Sequence, residues 1–322
     1  MKTDEHCKHF PLQRRVDAVI NRIEMIIWVW VQMSNPNGDP RNEGNPRTTP
    51  LGHGYISADS FKRWLRNALE TYFGGHLLIP QSGSIGDVVE KLIADSGKKA
   101  KDFAGASGEA VLAKLVTDYF IDARLFGGLI TKPISIGLRG PVKIHLAESV
   151  DQVRLVFHKG VRKSHASSKG SKGETEVEDQ ETSDANDADQ KHGVFTSRVM
   201  VHAGLYPFTV EVDGEQARKN GLTYGDLDDL ITASLSMYSW FGSSVRSNVA
   251  VRRIDIWQHS HPRGTVTAGL MPRMTKAKAA GTEPVQAFED YSIETPQTPQ
   301  GVTHTVVRPE DALGVVEAEA AE

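Results

Sequence analysis

A long β-branched and aromatic segment near the start of the chain, followed by residues that no regular element accommodates, constrains the fold most. Residues 26–31 are continuously apolar within a predicted strand at 23–33, which indicates a strand buried on both faces. Residues 35–50 then combine several prolines with an Asn-Gly pair, so they can neither continue a helix nor pair in a sheet. The chain therefore enters a long, specifically shaped loop directly after its first strand.

Helical periodicity begins after this loop. Ser57 is a suitable N-cap, and Gly74-Gly75 would end a helix that reaches about Tyr72. The apolar residues at helical spacing are Phe61, Leu65, Ala68, Leu69 and Tyr72. Two further helices are predicted near residues 85–94 and 108–121.

The remaining periodic segments complete a recognisable order of elements. Residues 138–147, 199–212 and 251–258 are predicted strands, and residues 223–241 form a second long amphipathic helix. The main elements therefore run strand, helix, strand, strand, helix, strand. This is the βαββαβ order of ferredoxin-like and RNA-recognition (RRM-like) domains, so the predicted fold class is α+β. Fold order alone does not assign a function.

The formal net charge of −4 hides an uneven distribution of acidic residues. Eight acids and no base lie within residues 174–190, and five acids and no base lie within residues 309–322. The rest of the chain has 37 basic residues against 28 acidic ones, a formal charge of +9. A basic body with two acidic appendages fits a polyanionic partner, although +9 is also an ordinary value for a large surface. Residues 164–190, rich in Ser, Gly, Lys and acids, are predicted to be disordered.

Signals for catalysis, metal binding and membrane insertion are missing from the sequence. No P-loop, HExxH, CxxC or GxSxG motif occurs, the 12 histidines lack ligand spacing, and Cys7 is the only cysteine. No apolar run reaches the roughly 18 residues of a membrane span, and the N-terminus lacks a secretory core. We therefore predict a cytoplasmic binding protein with no enzymatic activity, cofactor, metal or membrane contact.

The first helix places basic residues opposite its apolar stripe. Lys62, Arg63 and Arg66 lie there, and Lys62 and Arg66 are one turn apart, a spacing that can neutralise successive phosphates. A solvated helix face would show the same pattern. The preceding loop adds Arg47 and His53, and the glycines on either side of His53 let the backbone approach a ligand closely.

Later basic residues extend the candidate RNA contacts. Arg124 and Arg139 stand next to flexible glycines, and Arg124 has an alternative reading as a structural partner for Asp122. Residues 154–163 and 191–200 combine bases with an occasional phenylalanine, which suits a hairpin that follows a single strand and stacks or wedges bases. A solvated hairpin explains this composition equally well. The candidates here and near the last strand are Lys159, Arg162, Arg198 and Arg246.

The loop and the first helix together resemble a known signature. Residues 35–48, Gly52-His53-Gly54 and residues 62–67 resemble the CRISPR-associated Cas7 family of the RAMP superfamily, in its type I-C variety. Residues 122–127, 139–142 and 204–206 are similar to the same family. The similarity runs in order from about residue 23 to residue 258.

The resemblance implies a backbone subunit of a Cascade-like surveillance complex in antiviral defence. Copies of such a protein polymerise along one CRISPR guide RNA (crRNA), and a projecting thumb on each copy displaces a base, so that the guide is presented for pairing with target DNA. The implied partners are crRNA, target DNA, neighbouring copies, other Cascade subunits and a recruited or fused nuclease. The implied division is a leader (1–21), the first half of a palm (22–150) with a helical insertion (about 76–136), the thumb (151–198), the second half of the palm (199–262), and an extension with an acidic tail (263–322).

Two other functions stay open. The family's type III relatives cut target RNA with an Asp in the loop after the first strand, and Asp39 is the nearest candidate here. Type I members do not cleave, and Asp39 lies in a turn motif that favours Asp for backbone reasons. The second alternative is a stand-alone RRM-like protein, which would need exposed aromatic residues at stacking positions on its sheet.

Overall fold

The computed structural model describes residues 20–163, 193–279, 281 and 285–310, with side chains described except at 160–163 and 193–197. Residues 1–19 of the predicted leader, the segment 164–190 that was predicted to be disordered, and most of the acidic tail therefore lie outside the described residues. The strands are β1 (Ile23–Ser34), β2 (His53–Ile56), β3 (Gly127–Ile130), β4 (Ile136–Arg139), β5 (Val142–Ile144), β6 (Ala147–Gln152), β7 (Leu155–Lys163), β8 (Gly193–Val212), β9 (Val249–His259), β10 (Lys276–Ala279), β11 (Tyr291–Glu294) and β12 (Val302–Val307). The α-helices are α1 (Ala58–Phe73), α2 (Ile85–Asp95), α3 (Gly105–Tyr119), α4 (Ile121–Phe126), α5 (Gly214–Asn220), α6 (Tyr224–Trp240) and α7 (Leu270–Met274).

A central antiparallel sheet organises the fold. Its strand order is β12-β9-β1-β8-β5, and β7 extends it by pairing with the first part of β8. β1 lies in the middle, where Ile27 pairs with Phe208 of β8 on one side and with Ile254 of β9 on the other. The strands predicted at residues 23–33, 199–212 and 251–258 are confirmed, and the first of them is buried on both faces as predicted.

Helices α1 and α6 cover one face of this sheet. Met25, Ile27 and Val29 of β1 share a buried core with apolar residues of both helices. Ser57 caps α1 by accepting a hydrogen bond from the amide of Ser60 at 3.2 Å, and Gly74 ends it with a positive φ of 63°. Both long helices are confirmed at their predicted positions.

The C-terminal part of the chain covers the other face. Trp28 and Trp30 of β1 and Trp257 of β9 are buried there, in a core that also contains Met271 and Tyr291. Although the sequence shows no clear periodicity after Pro262, the chain forms α7, a two-stranded ribbon of β10 and β11, and the edge strand β12. The sheet is therefore buried on both sides.

The helical insertion has a core of its own. Val89 of α2, Phe103 of the short 3-10 helix Ala100–Phe103, Val116 of α3 and Ile136 of β4 belong to a second buried cluster. The helices predicted near residues 85–94 and 108–121 are confirmed as α2 and α3.

The single strand predicted at residues 138–147 is wrong. The chain forms three short strands there, β4, β5 and β6, which pair with β3, β8 and β2 respectively. Pro141 has no amide hydrogen to donate, and it separates β4 from β5. Val142 and Ile144 are buried, whereas Leu146 is 51% exposed.

A two-stranded hairpin extends beyond the end of the sheet. β1 ends where Ser34 pairs with Val201, whereas β7 pairs with β8 from Leu155 opposite Val201 to Lys163 opposite Gly193. The first part of β8 thus has only β7 as its partner among the described strands. We call residues 154–163 with 193–202 the hairpin.

Candidate nucleic-acid interface

Two loops meet at the end of β1, at the base of the hairpin. The amide of Asn35 donates to the carbonyl of Val245 at 2.7 Å, and Arg246 Nε donates to the carbonyl of Asn35 at 3.2 Å. The Arg246 guanidinium also lies 5.3 Å from the centre of the Trp64 ring on α1. Arg246 therefore holds the loop after β1, the loop before β9 and the first helix together.

Arg198 belongs to the same region. Its side chain is exposed on β8, and its Nη1 donates to Ser244 Oγ at 3.2 Å. Arg198 and Arg246, predicted from distant parts of the sequence, are thereby brought to the same loop. Asn35, Arg198, Ser244 and Arg246 form a polar junction between sheet and hairpin.

The loop after β1 has a defined internal structure. Asn37 Oδ1 accepts from the amide of Ser57 at 2.9 Å and ties the loop to the start of α1. A Cβ at Gly38 would lie 2.6 Å from the Gly44 carbonyl oxygen, so only glycine fits at this crossing. Arg47 lies 3.7 Å from Asp39 Oδ1 and 6.0 Å from the centre of the Tyr55 ring. The predicted specific shape of this loop thus has a physical cause in its own contacts.

Asp39 occupies a turn within this loop. Its Oδ1 accepts a hydrogen bond from the amide of Arg41 at 3.1 Å, the geometry of an Asx turn. No group of three His, Cys, Asp or Glu side chains within the described ranges is arranged to hold a metal ion.

We expect Asp39→Ala to leave target RNA as intact as it is with the natural protein. The variant should lose about 1 kcal/mol of stability, because one side-chain hydrogen bond disappears from the turn. Cleavage is measured by incubating labelled complementary RNA with the purified complex and Mg²⁺ and separating the products on a denaturing gel. Asp59→Ala is the control. Cleavage by the natural protein that Asp39→Ala abolishes would establish the ribonuclease alternative.

The hairpin carries exposed cationic side chains. Arg154, Lys159 and Arg198 are exposed, and so is His158, which pairs directly opposite Arg198. Phe157 is 70% exposed on the opposite side of β7 from His158. Arg162 lies on β7, outside the range with described side chains. Arg154, which directly precedes β7, and His158 were not among the candidates chosen from the sequence, although both lie in the basic segment 154–163.

Two of the three basic residues predicted on the exposed face of α1 contact other parts of the protein. Arg66 is only 8% exposed, and its Nε donates to the buried carboxylate of Asp122 at 2.9 Å. Arg63 donates to the backbone carbonyls of Ile79 and Pro80 at 3.2 and 3.3 Å. The prediction that Arg66 lies on an exposed face is therefore wrong, because the helical insertion packs against this side of the helix.

Lys62 lies beside the same packing. Its Nζ is 5.6 Å from the centre of the Phe126 ring, and the Arg66 guanidinium is 5.4 Å from that ring. Burial lowers the pKa of Lys62 from its ordinary value, and the nearby Asp59 carboxylate opposes this effect. Lys62 is half-buried.

The other candidates are spread over separate regions. Arg124 forms a two-point ion pair with Asp226 at 3.0 and 2.7 Å, so its predicted alternative pairing with Asp122 is wrong. Arg139 is exposed at the end of β4. His53 lies on β2, where its Nδ1 is 2.8 Å from the Ser149 carbonyl.

Comparison with known proteins identifies the family. A family model described as CRISPR-associated protein Cas7 matches residues 21–296. The chain belongs to the Cas7 family. No curated protein sequence matches this Cas7 chain, and its type I-C assignment stays a prediction.

Two solved structures are similar to this Cas7 chain at 15% sequence identity. One is a chain of a "CRISPR RNA-guided surveillance complex, pre-nicking", with a TM-score of 0.45 over 74% of this chain and 78% of that chain. The other is a chain of a "CRISPR RNA-guided surveillance complex", with a TM-score of 0.38 over 74% of this chain and 70% of that chain. Within the described residues, no helix is both long and apolar enough to cross a membrane.

Proposed function

We propose that this Cas7 protein is the guide-RNA-binding backbone subunit of a type I CRISPR surveillance complex. Membership of the family supports an RNA partner. The strand order β9-β1-β8-β5, with α1 and α6 on one face, supports a ferredoxin-like palm, and we assign the hairpin as the thumb. In this proposal copies polymerise along the crRNA in the cytoplasm, present it to target DNA, and contact other Cascade subunits and a nuclease.

The observation that carries the proposal is the cationic hairpin rising from the Asn35 junction. Arg154, Lys159 and Arg198 are exposed on it. Exposed cations on a narrow projection suit contacts to successive phosphates of a single strand, which give binding that depends little on sequence.

The stand-alone RRM-like alternative finds no support in the sheet. Binding of that kind requires exposed aromatic residues on the sheet surface. Trp28 and Trp30 are 2% and 5% exposed, because the C-terminal segment covers that face. A nucleic acid therefore has to approach the hairpin, the loops or the helices.

Reversing two hairpin charges, Lys159→Glu with Arg198→Glu, should strongly weaken RNA binding without unfolding the protein. Both side chains are exposed, and the exposed hydrogen bond from Arg198 to Ser244 contributes little to stability, so the protein should remain folded. Affinity falls as salt rises, and each lost phosphate contact should make the plot of log affinity against log salt shallower by about 1. The two substitutions together should make it shallower by about 2. Co-expression with a repeat array, gel filtration and salt-dependent filter binding measure assembly and this slope.

The matched control is Lys91→Glu with Lys101→Glu, which makes the same charge change at exposed positions of the helical insertion. This control should keep most of its RNA. The proposal fails if the natural protein elutes as an RNA-free monomer at low ionic strength, or if both double variants lose affinity equally.

A further inference from the structure

A cavity of about 480 Å³ lies at the base of the hairpin. Residues of β2, β6 and β8, the connection between β6 and β7, and the C-terminal ribbon line it. This volume lies in the usual range of small-molecule sites. Arg154 at its edge is also one of the exposed cations of the hairpin and His53 is a candidate RNA contact, but no role assigned above uses the cavity as a binding site.

Small apolar side chains form part of its wall. They are Val150, Val153, Ala203, Ala279 and Val285. Gly204 adds bare backbone, since a Cβ there would lie 3.0 Å from the Tyr206 ring and 3.2 Å from Val153. Apolar walls of this kind suit the faces of a nucleobase, which proteins commonly hold between aromatic or apolar side chains.

A carboxylate is fixed at one part of the cavity. The Tyr291 hydroxyl donates to Asp151 Oδ2 at 2.7 Å. Burial and the contact with Asp151 both raise the pKa of Tyr291, so its hydroxyl stays protonated and keeps donating. Asp151 Oδ1 has no hydrogen-bond partner among the described residues, and it can accept from the N–H groups of a base edge.

The remaining polar groups complement a nucleotide. His53 Nδ1 lies 2.8 Å from the Ser149 carbonyl, which can only accept, so Nδ1 carries a hydrogen and, in the neutral ring, Nε2 is an acceptor. Arg154 is exposed and makes no ion pair with a described residue, and its planar fork of donors matches phosphate geometry. The acceptors and the anion-binding group thus both belong to one cavity.

We propose that this cavity binds one nucleoside 5′-monophosphate unit. The base lies against the apolar wall with its edge toward Asp151 and His53, and the phosphate lies on Arg154, away from the Asp151 charge. The unit comes either from a bound RNA or from a free nucleotide. The first of these sources rests on the proposed function, but the binding chemistry does not.

Titration of each of the four nucleoside 5′-monophosphates into the RNA-free full-length protein tests the site directly. Binding is followed by calorimetry or ligand NMR. Dissociation constants on the order of 1 mM or lower are expected for a ligand of this size. Arg154→Ala should weaken binding about tenfold, and Ala279→Leu, which fills the cavity from an edge strand, should abolish it. Arg218→Ala, an exposed arginine outside the cavity, is the control. Thermal denaturation checks that each variant folds.

Failure of the cavity assignment and failure of the proposed function give different experimental results. The cavity assignment alone fails if the protein retains RNA but binds no monophosphate. It also fails if the Ala279→Leu and Arg154→Ala variants bind monophosphate as tightly as the natural protein does. Photo-crosslinking of RNA containing 4-thiouridine to the segment around Val153 would identify RNA as the source. Monophosphate binding without such crosslinks would identify a free nucleotide.

Discussion

Replacing Arg66 with glutamate should unfold the protein rather than merely weaken its hold on RNA. The Arg66 guanidinium is the charged partner of Asp122, which is fully buried and also accepts from the amides of Leu78 and Ile79 at 2.7 and 3.2 Å. The substitution would place two carboxylates in one buried site. Removing one partner of a buried ion pair alone costs about 3–5 kcal/mol, and the like charge adds to this loss. Urea denaturation followed by circular dichroism measures the change.

Lys62→Glu is the matched control on the same helix. Lys62 lies over the same phenylalanine ring as Arg66 but is half-buried and has no ion-pair partner among the described side chains. Its charge reversal should cost about 1 kcal/mol. If Arg66→Glu keeps the stability of the natural protein, the ion pair with Asp122 does not hold the helical insertion to α1.

Asp255→Ala should be the second strongly destabilising change. This buried carboxylate accepts from Trp28 Nε1 at 2.8 Å, from Arg253 at 2.8 and 2.7 Å, and from His304 Nε2 at 2.8 Å. Its donors come from β1, β9 and β12, so one side chain links three neighbouring strands. We expect a loss of about 3–5 kcal/mol, because several buried donors lose their acceptor together. Glu289→Ala, which breaks an exposed ion pair with Arg252, should cost at most about 1 kcal/mol.

Acid titration adds an independent readout for Asp255. Desolvation raises the pKa of this carboxyl, but hydrogen bonds from His304, Arg253 and Trp28 and the Arg253 charge outweigh it, so the pKa is lower than usual. The folded protein then holds the proton less tightly than the unfolded chain does. The ionised group therefore stabilises the fold above the unfolded pKa of about 4, and this contribution is lost as the pH falls through the folded pKa. Asp255→Asn should flatten the acid part of the stability curve; an unchanged curve would contradict the role of this carboxylate.

Local patterns predicted the long elements well. The first long helix was expected from Ser57 to about Tyr72 and spans Ala58–Phe73, because both its cap and its apolar spacing are local properties of the sequence. Strand β12 escaped prediction, since Val302–Val307 mixes Thr and His with Val and gains its order from pairing with β9. The break at Pro141 was also missed, because apolar alternation continues on its far side.

The candidate site was harder to predict than the fold. A basic residue type indicates a charge but not its partner, and the partners here are remote in sequence. Arg66 pairs with an acid 56 positions away, and Arg124 pairs with one 102 positions away. In the folded protein these two arginines are paired with carboxylates, whereas Arg154 and Arg198 remain exposed on the hairpin.

The C-terminal segment covers a face of the sheet that carries several tryptophan rings. Large aromatic rings on an open sheet attract one another and promote aggregation. Trp28, Trp30 and Trp257 instead lie beneath Met271 and Tyr291, within each monomer. The aromatic face of the sheet is therefore covered by the chain itself and is not open to a neighbouring molecule.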